Sequence, residues 1–396
     1  MTPARGRWGA LALLSIALLL GMAEWFTATA VGSALQIRWD LTSSQLSLLT
    51  TLVQLGFVAG TLVAAVLNLA DVLPIRAYFA GASFVAATAN AGILVADGFV
   101  AGATLRFLTG FALAGVYPPA MKMVCTWFVA GRGLAVGTVV GALTVGKAFP
   151  WLIKSLGGVG EVPVLLGASL GGIVGGVLVL LFYRDGPCAF ERRPFAWGRV
   201  GEVVRDRPTR WATLGYVGHM WELYAMWGLV PAFLTATFAA RGWGGADAAG
   251  FAVIAAGGAG AVLAGRWADR WGRARVASIA MAVSGACAAS VGFLGGAPAI
   301  LLLGLVVVWG FAVVADSAQF SALVTEVAPS HAVGTALTFQ TMAGFAITAL
   351  SIEIASRIAE SAGWGPAFLL LAVGPLFGIE AMRRFTRERE AGVASR

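Results

Sequence analysis

Gly265-Arg266-Trp267-Ala268-Asp269-Arg270-Trp271-Gly272-Arg273-Ala274-Arg275 is a short basic turn wedged between two apolar runs, 247–265 and 275–294. Each run is about 20 residues long, enough to cross the hydrocarbon core of a bilayer as one α-helix. The turn, with its arginines and an aspartate, belongs in water or among headgroups. The same alternation continues outward to both ends of the chain. Spans are predicted at 9–32, 45–67, 75–96, 99–123, 133–154, 162–183, 210–238, 247–265, 275–294, 299–324, 332–357 and 363–382.

Composition supports a lipid solvent. Of 396 residues, 59% are hydrophobic and 12% charged, against about 25% charged in soluble domains. Backbone groups in lipid must be satisfied within helices or a closed barrel. Barrel strands would alternate over about ten residues, and these runs do not. The expected fold class is therefore an all-α polytopic membrane protein with twelve transmembrane helices in two pseudo-symmetric six-helix bundles.

A net charge of +8 invites a nucleic-acid reading, but no soluble domain offers a basic face. Cys125, Cys188 and Cys287 lack metal-ligand spacing, so neither metal nor disulfide is expected. No cofactor motif is present: the glycine-rich stretches 167–176 and 250–265 follow no strand and lack a P-loop ending. They suit close helix packing instead. Arg5 and Arg7 before an apolar run, with Ala28-Thr29-Ala30 after it, resemble a signal peptide. The run is long enough to span, however, and its removal would leave an odd helix count.

Orientation follows from the basic residues, which favour the cytoplasmic side. Of the 27 Lys and Arg, only Arg38, Lys154, Arg241 and Arg357 fall outside when both termini are placed inside. Arg106, Lys122 and Lys147 fall within spans, and all others are cytoplasmic. A multi-pass protein of the inner membrane is expected. The polar stretch 184–208, with Arg184, Arg192, Arg193, Arg199, Arg205 and Arg207, reads as a cytoplasmic linker between halves 1–183 and 209–396. The halves repeat: Asp71 and Asp269 are 198 residues apart, Gly110 and Gly310 are 200 apart, and Gly137 and Gly334 are 197 apart. That offset indicates an internal duplication.

The Gly-x-x-x-Asp-Arg-x-Gly-Arg spacing from Gly265 to Arg273 resembles the cytoplasmic loop motif of the major facilitator superfamily. Its physics suits a gate: Gly265 permits close approach, Asp269 can meet a neighbouring helix N-terminus, and Arg270 and Arg273 can pair with acids. The first-half copy, Asn68-Leu-Ala-Asp71-Val-Leu-Pro74-Ile-Arg76, keeps Asp71 and Arg76 but loses the glycines. A second stretch, Arg106-Phe-Leu-Thr-Gly110-Phe-Ala-Leu-Ala-Gly115-Val-Tyr117-Pro118, is similar to the superfamily's fourth-helix motif, whose arginine is linked to proton coupling. The chain also loosely resembles the nitrate, nitrite and cyanate porter branch. Those nitrate carriers place arginines in the second and eighth helices, and the spans 45–67 and 247–265 hold none, which disfavours nitrate. Gly137 to Gly146 echoes an antiporter motif without its proline.

The resemblance implies two bundles rocking about a central cavity faced by the first, fourth, seventh and tenth helices. Glu24, Arg106, His219, Glu222, Asp316 and Gln319 lie on those helices. Lys147 sits mid-span on the fifth, where it requires a carboxylate or an anionic ligand. A charge at the bilayer centre costs about 2.5–3.5 kcal/mol on insertion scales, so Arg106 needs a partner or a wet cavity, unless it snorkels. His219 and Glu222, at i and i+3, share one helical face and read as a proton relay or a structural pair. Glu24 and Asp316 are either coupling groups or partners of Arg106 and Lys147. Lys122 reads as snorkelling and Glu353 as interfacial. The aromatics Trp25, Phe26, Tyr117, Tyr216, Trp221, Tyr224 and Trp227 are expected near these charges, as cavity lining or as packing.

No clustered nucleophile points to an enzyme, and no ATPase module is present. The expectation is proton-coupled secondary transport of a small organic solute, favouring an organic anion, by a monomer whose partners are substrate, protons and lipid. Export of amphipathic or aromatic compounds is the alternative, and a non-transporting membrane sensor the third.

Overall fold

The structure, a computed structural model, describes residues 6–128, 131–157, 160–188 and 195–394. Arg5, Arg192 and Arg193 lie outside the described residues. All regular structure among the described residues is helical. Among the described residues eleven helices are long and apolar enough to cross a membrane, and the shorter Arg7–Met22 supplies the twelfth with its continuations. We number them α1 (Arg7–Met22, Thr27–Ala30 and Gly32–Trp39), α2 (Ser43–Val66), α3 (Ile75–Val95), α4 (Phe99–Cys125), α5 (Arg132–Ser155) and α6 (Glu161–Phe182). The second half comprises α7 (Arg207–Ala240), α8 (Ala246–Trp271), α9 (Arg273–Val291), α10 (Ala299–Val327), α11 (Ser330–Ala362) and α12 (Trp364–Glu390).

Local chemistry sets several boundaries. Thr42 and Gln45 form a reciprocal capping box at the start of α2, satisfying two backbone donors that would otherwise have no partner. Asp206 caps α7 by accepting from the Thr209 amide at 3.0 Å. With 34 residues, α7 is about 50 Å long at 1.5 Å per residue. It therefore extends well beyond a bilayer core, and runs past the predicted 210–238 at both ends.

Four helices are interrupted near mid-membrane, among them α12, whose two parts meet at Ala372. Residues 23–26 break α1, residues 114–116 break α4, and Asp316 separates the two parts of α10. In α4 the cause is Pro118-Pro119 at the restart, since proline lacks the amide and clashes with the carbonyl four residues back. The α1 break contains neither proline nor glycine, and its cause lies in α4. Beyond the break, α1 reaches Trp39 rather than the predicted residue 32.

Between α6 and α7, the helix Val200–Arg205 and the turn before it dock on the start of α11. The Ala196 amide donates to Thr335 Oγ1 at 3.0 Å, and Arg199 donates to the His331 carbonyl.

The halves meet along two antiparallel seams, α5 with α8 and α2 with α11. On the first, backbones nearly touch. A Cβ on Gly137 would stand 2.8 Å from the Ala261 carbonyl oxygen, and one on Gly141 2.8 Å from that of Gly258. Only glycine admits this spacing. Lys154 pairs with Asp247 at 3.0 Å at the end remote from the Asp269 turn. The second seam is made by side chains: Phe57 meets Phe345 with centroids 4.5 Å apart, and Ser47 Oγ lies 3.3 Å from Ser356 Oγ.

Candidate functional site

The break in α1 exposes backbone carbonyls that lipid cannot satisfy. Arg106, fully buried on α4, supplies the donors. Its Nη1 donates to the Glu24 carbonyl at 3.1 Å, to Thr27 Oγ1 at 3.2 Å and to Asn90 Oδ1 at 3.3 Å. Its Nη2 donates to the Trp25 carbonyl. Asn90 is anchored in turn to the Leu165 carbonyl and to Ser169 Oγ of α6. A guanidinium inserted among the carbonyls is an identifiable cause of a helix break, and the carbonyls explain how the charge is tolerated. The Glu24 carboxylate is fully buried, and neither oxygen has a hydrogen-bond partner in the protein. It faces α6, where any side chain at Gly172 would collide with it.

In the other half, Glu222 of α7 points into its own bundle. It accepts from Trp309 Nε1 of α10 at 2.7 Å and from Ser284 Oγ of α9 at 2.8 Å. His219, one turn earlier, turns elsewhere. Its Nδ1 lies 2.8 Å from Asp316 Oδ1 at the α10 break, and its Nε2 lies 2.8 Å from Ser317 Oγ. All three ionisable groups are buried.

Lys147 of α5 stands where the halves meet. Its ammonium lies 4.0 Å from the ring centroid of Trp25, 4.4 Å from Tyr224 and 5.1 Å from Trp227, and it donates to the Tyr224 hydroxyl. Ring faces attract a cation, and no carboxylate among the described residues is within ion-pair distance of it. Beside it is a cavity of about 30 Å³ lined by residues including Tyr117, Thr144, Tyr216, Tyr224, Ser317 and Phe345. That is room for about two waters. The core is shut.

At the Asp269 end, a Cβ on Gly133 would lie 3.0 Å from Asp269 Oδ1, so this carboxylate rests on the first turn of α5 across the interface. A negative charge is favourable there. Arg273 bonds Glu326 at 2.7 Å and Gln319 Oε1 at 3.2 Å.

A family model described as Major Facilitator Superfamily matches residues 13–352. The chain belongs to the major facilitator superfamily. Among solved structures, one similar fold is the crystal structure of a mutant form of the nucleoside transporter NupG. The TM-score is 0.71 at 14% identity, covering 95% of this chain and 100% of that one. No curated protein matches the sequence significantly. As a superfamily member the chain is a secondary transporter rather than an enzyme.

Within this superfamily fold the expected site residues divide into separate groups rather than sharing one chamber. Tyr117 lines the cavity, and Lys147 reaches it through Tyr224. His219 and Asp316 adjoin it through Ser317. Arg106 is committed to the α1 backbone, Glu24 and Glu222 face the interiors of their own bundles, and Gln319 belongs to the Asp269 end. His219 and Glu222 do not pair, because i, i+3 spacing sets a shared side of a helix and not a shared partner. Lys122 bonds Asp71 at 2.6 Å and the Ala70 carbonyl at 2.7 Å, so Asp71 is engaged within its own half, while Arg76 and Arg270 are exposed. Trp221 donates to the Leu370 carbonyl and is a packing residue.

Sequence reasoning missed Asn90, Thr27, Ser284 and Trp309, uncharged partners with no motif of their own. It also missed that Glu24 and Glu222 are 198 residues apart, the offset of Asp71 and Asp269. Lys147 and Phe345 share it too.

Proposed function

We propose that this superfamily transporter moves a small organic anion across the cytoplasmic membrane, coupled to protons, by alternating access between its two halves. Buried Lys147 carries this reading: it lies at the junction of the halves with ring faces and a hydroxyl around it and no acid beside it. An uncompensated buried cation is costly, and an anionic substrate would supply the missing charge. Proton coupling has two candidate seats. One is Glu24, without hydrogen-bond partners and next to the Arg106 clamp. The other is the His219–Asp316 pair, which touches cavity-lining Ser317. Protonation at either would change which arrangement of the halves is favoured. Asp71, Asp269 and Arg273 would act as the cytoplasmic gate. The distribution of basic residues supports cytoplasmic termini, and no branch of the superfamily is assigned.

The test is flux into proteoliposomes from a panel of labelled organic anions and amphiphilic cations with an imposed pH gradient. Anion accumulation that follows the gradient, and is lost in Lys147→Ala, is the expected result. Accumulation indifferent to pH would remove the coupling. The second reading, export of amphipathic or aromatic compounds, is favoured by the five aromatic rings on the cavity. Uptake of aromatic cations by inverted vesicles, unaffected by Lys147→Ala, would establish it instead.

A further inference from the structure

Around Lys147 the hydrogen-bond balance is one-sided. The indole nitrogens of Trp25 and Trp227 are buried, and neither has an acceptor in the protein. Both indoles belong to the rings that lie against the ammonium. Buried donors without acceptors are rare in folded proteins, and two flanking a lysine with no carboxylate make a donor-rich pocket. The other bases near the centre are already engaged: Arg106 is bound to the carbonyls of α1, and His219 is held by Asp316 and Ser317. Among these bases, Lys147 is the one held by neither backbone carbonyls nor a carboxylate. Five of the twelve residues on the cavity beyond it are aromatic: Tyr117, Tyr216, Tyr224, Trp227 and Phe345.

The geometry points to an aromatic monocarboxylate as the substrate class. Its two oxygens take the Lys147 ammonium and the indole N–H groups of Trp25 and Trp227, and its flat ring lies among the tyrosine and phenylalanine rings. This rests on the anion reading above and narrows it. A second carboxylate would be buried with no cation to meet it, and a saturated ring would forgo stacking geometry. At about 30 Å³ the cavity is the closed remnant of this site. Trp25 packs on Tyr224 and Phe345 of the opposite half, with centroids 5.5 and 5.8 Å apart, so parting of the halves opens it.

Equilibrium binding to purified protein in nanodiscs tests this with four probes: benzoate, cyclohexanecarboxylate, phthalate and benzylamine. Benzoate is expected to bind at least about tenfold more tightly than the other three, roughly the worth of one charge-assisted contact. Lys147→Ala should abolish benzoate binding. Trp227→Phe, which keeps a ring and removes the N–H, should weaken it several-fold while the melting temperature stays near wild type. Cyclohexanecarboxylate or phthalate binding as tightly as benzoate, still dependent on Lys147, would overturn the aromatic monocarboxylate and leave the anion reading standing. Benzylamine binding with no carboxylate binding would overturn both. Trp227→Phe binding benzoate like wild type would refute the indole contact.

Discussion

Glu24 in α1 and Glu222 in α7 occupy the same place in the two halves of a duplicated chain, yet their surroundings differ in kind. In the first half the helix is broken, an arginine holds the freed carbonyls, and the carboxylate is left without a hydrogen-bond partner. In the second the helix is continuous for 34 residues, and the carboxylate is bound by an indole and a hydroxyl. One acid sits beside a charge that could switch partners, and the other is closed into a neutral network. At this offset the two halves carry the same acid in two different settings, one open and one closed.

Removing the clamp should have the largest effect. Arg106→Ala leaves the carbonyls of Glu24 and Trp25 without donors in a dry core. Transport should be lost and stability should fall by about 3–5 kcal/mol, the scale for breaking a buried charged network, as read by thermal melting in detergent. Arg106→Lys should recover little, because one ammonium cannot reproduce the planar fork. Next comes the acid pair itself. Glu24→Gln should reduce pH-driven accumulation by at least about tenfold while exchange without a gradient persists. Glu222→Gln should change both by less than about threefold, since the amide oxygen can still accept from Trp309 while its NH2 donates to the Ser284 hydroxyl. Equal losses in the two variants would erase the distinction between the acids.

The seams give smaller effects. Gly137→Val places carbon against the Ala261 carbonyl and should cost about 1–3 kcal/mol by overpacking, with slower transport measurable in proteoliposomes. Lys154→Ala removes a partly exposed ion pair and should cost at most about 1 kcal/mol. A double-mutant cycle with Asp247→Ala, repeated at high salt, would measure that coupling and its screening.

Much of the fold was legible because lipid imposes a length on every apolar run, and the basic turn from Gly265 to Arg275 marks where one ends. The Asp269 contact with the start of α5 was also readable, since glycine and aspartate at that spacing have few other uses. Partners of the buried charges were not. Arg106 is held largely by backbone carbonyls, which no sequence displays, and Lys147 is flanked by ring faces from two other helices. Helical spacing placed His219 and Glu222 on one side of α7. It left undetermined that one would meet Asp316 and the other Trp309. The break in α1 was likewise hidden, because its cause is a side chain about 80 residues away.

The near contact of α5 and α8 backbones has a mechanical consequence. A spine of glycines pressed on carbonyls tolerates rolling far better than sliding or separation. Motion of the halves should therefore resemble a book turning on its binding, with the free edge at α2 and α11, where Phe57 and Phe345 are the facing pages. Spin labels across the free edge should report broad, ligand-dependent distances, and labels across the spine narrow ones. Similar spread at both edges would show that the binding slips.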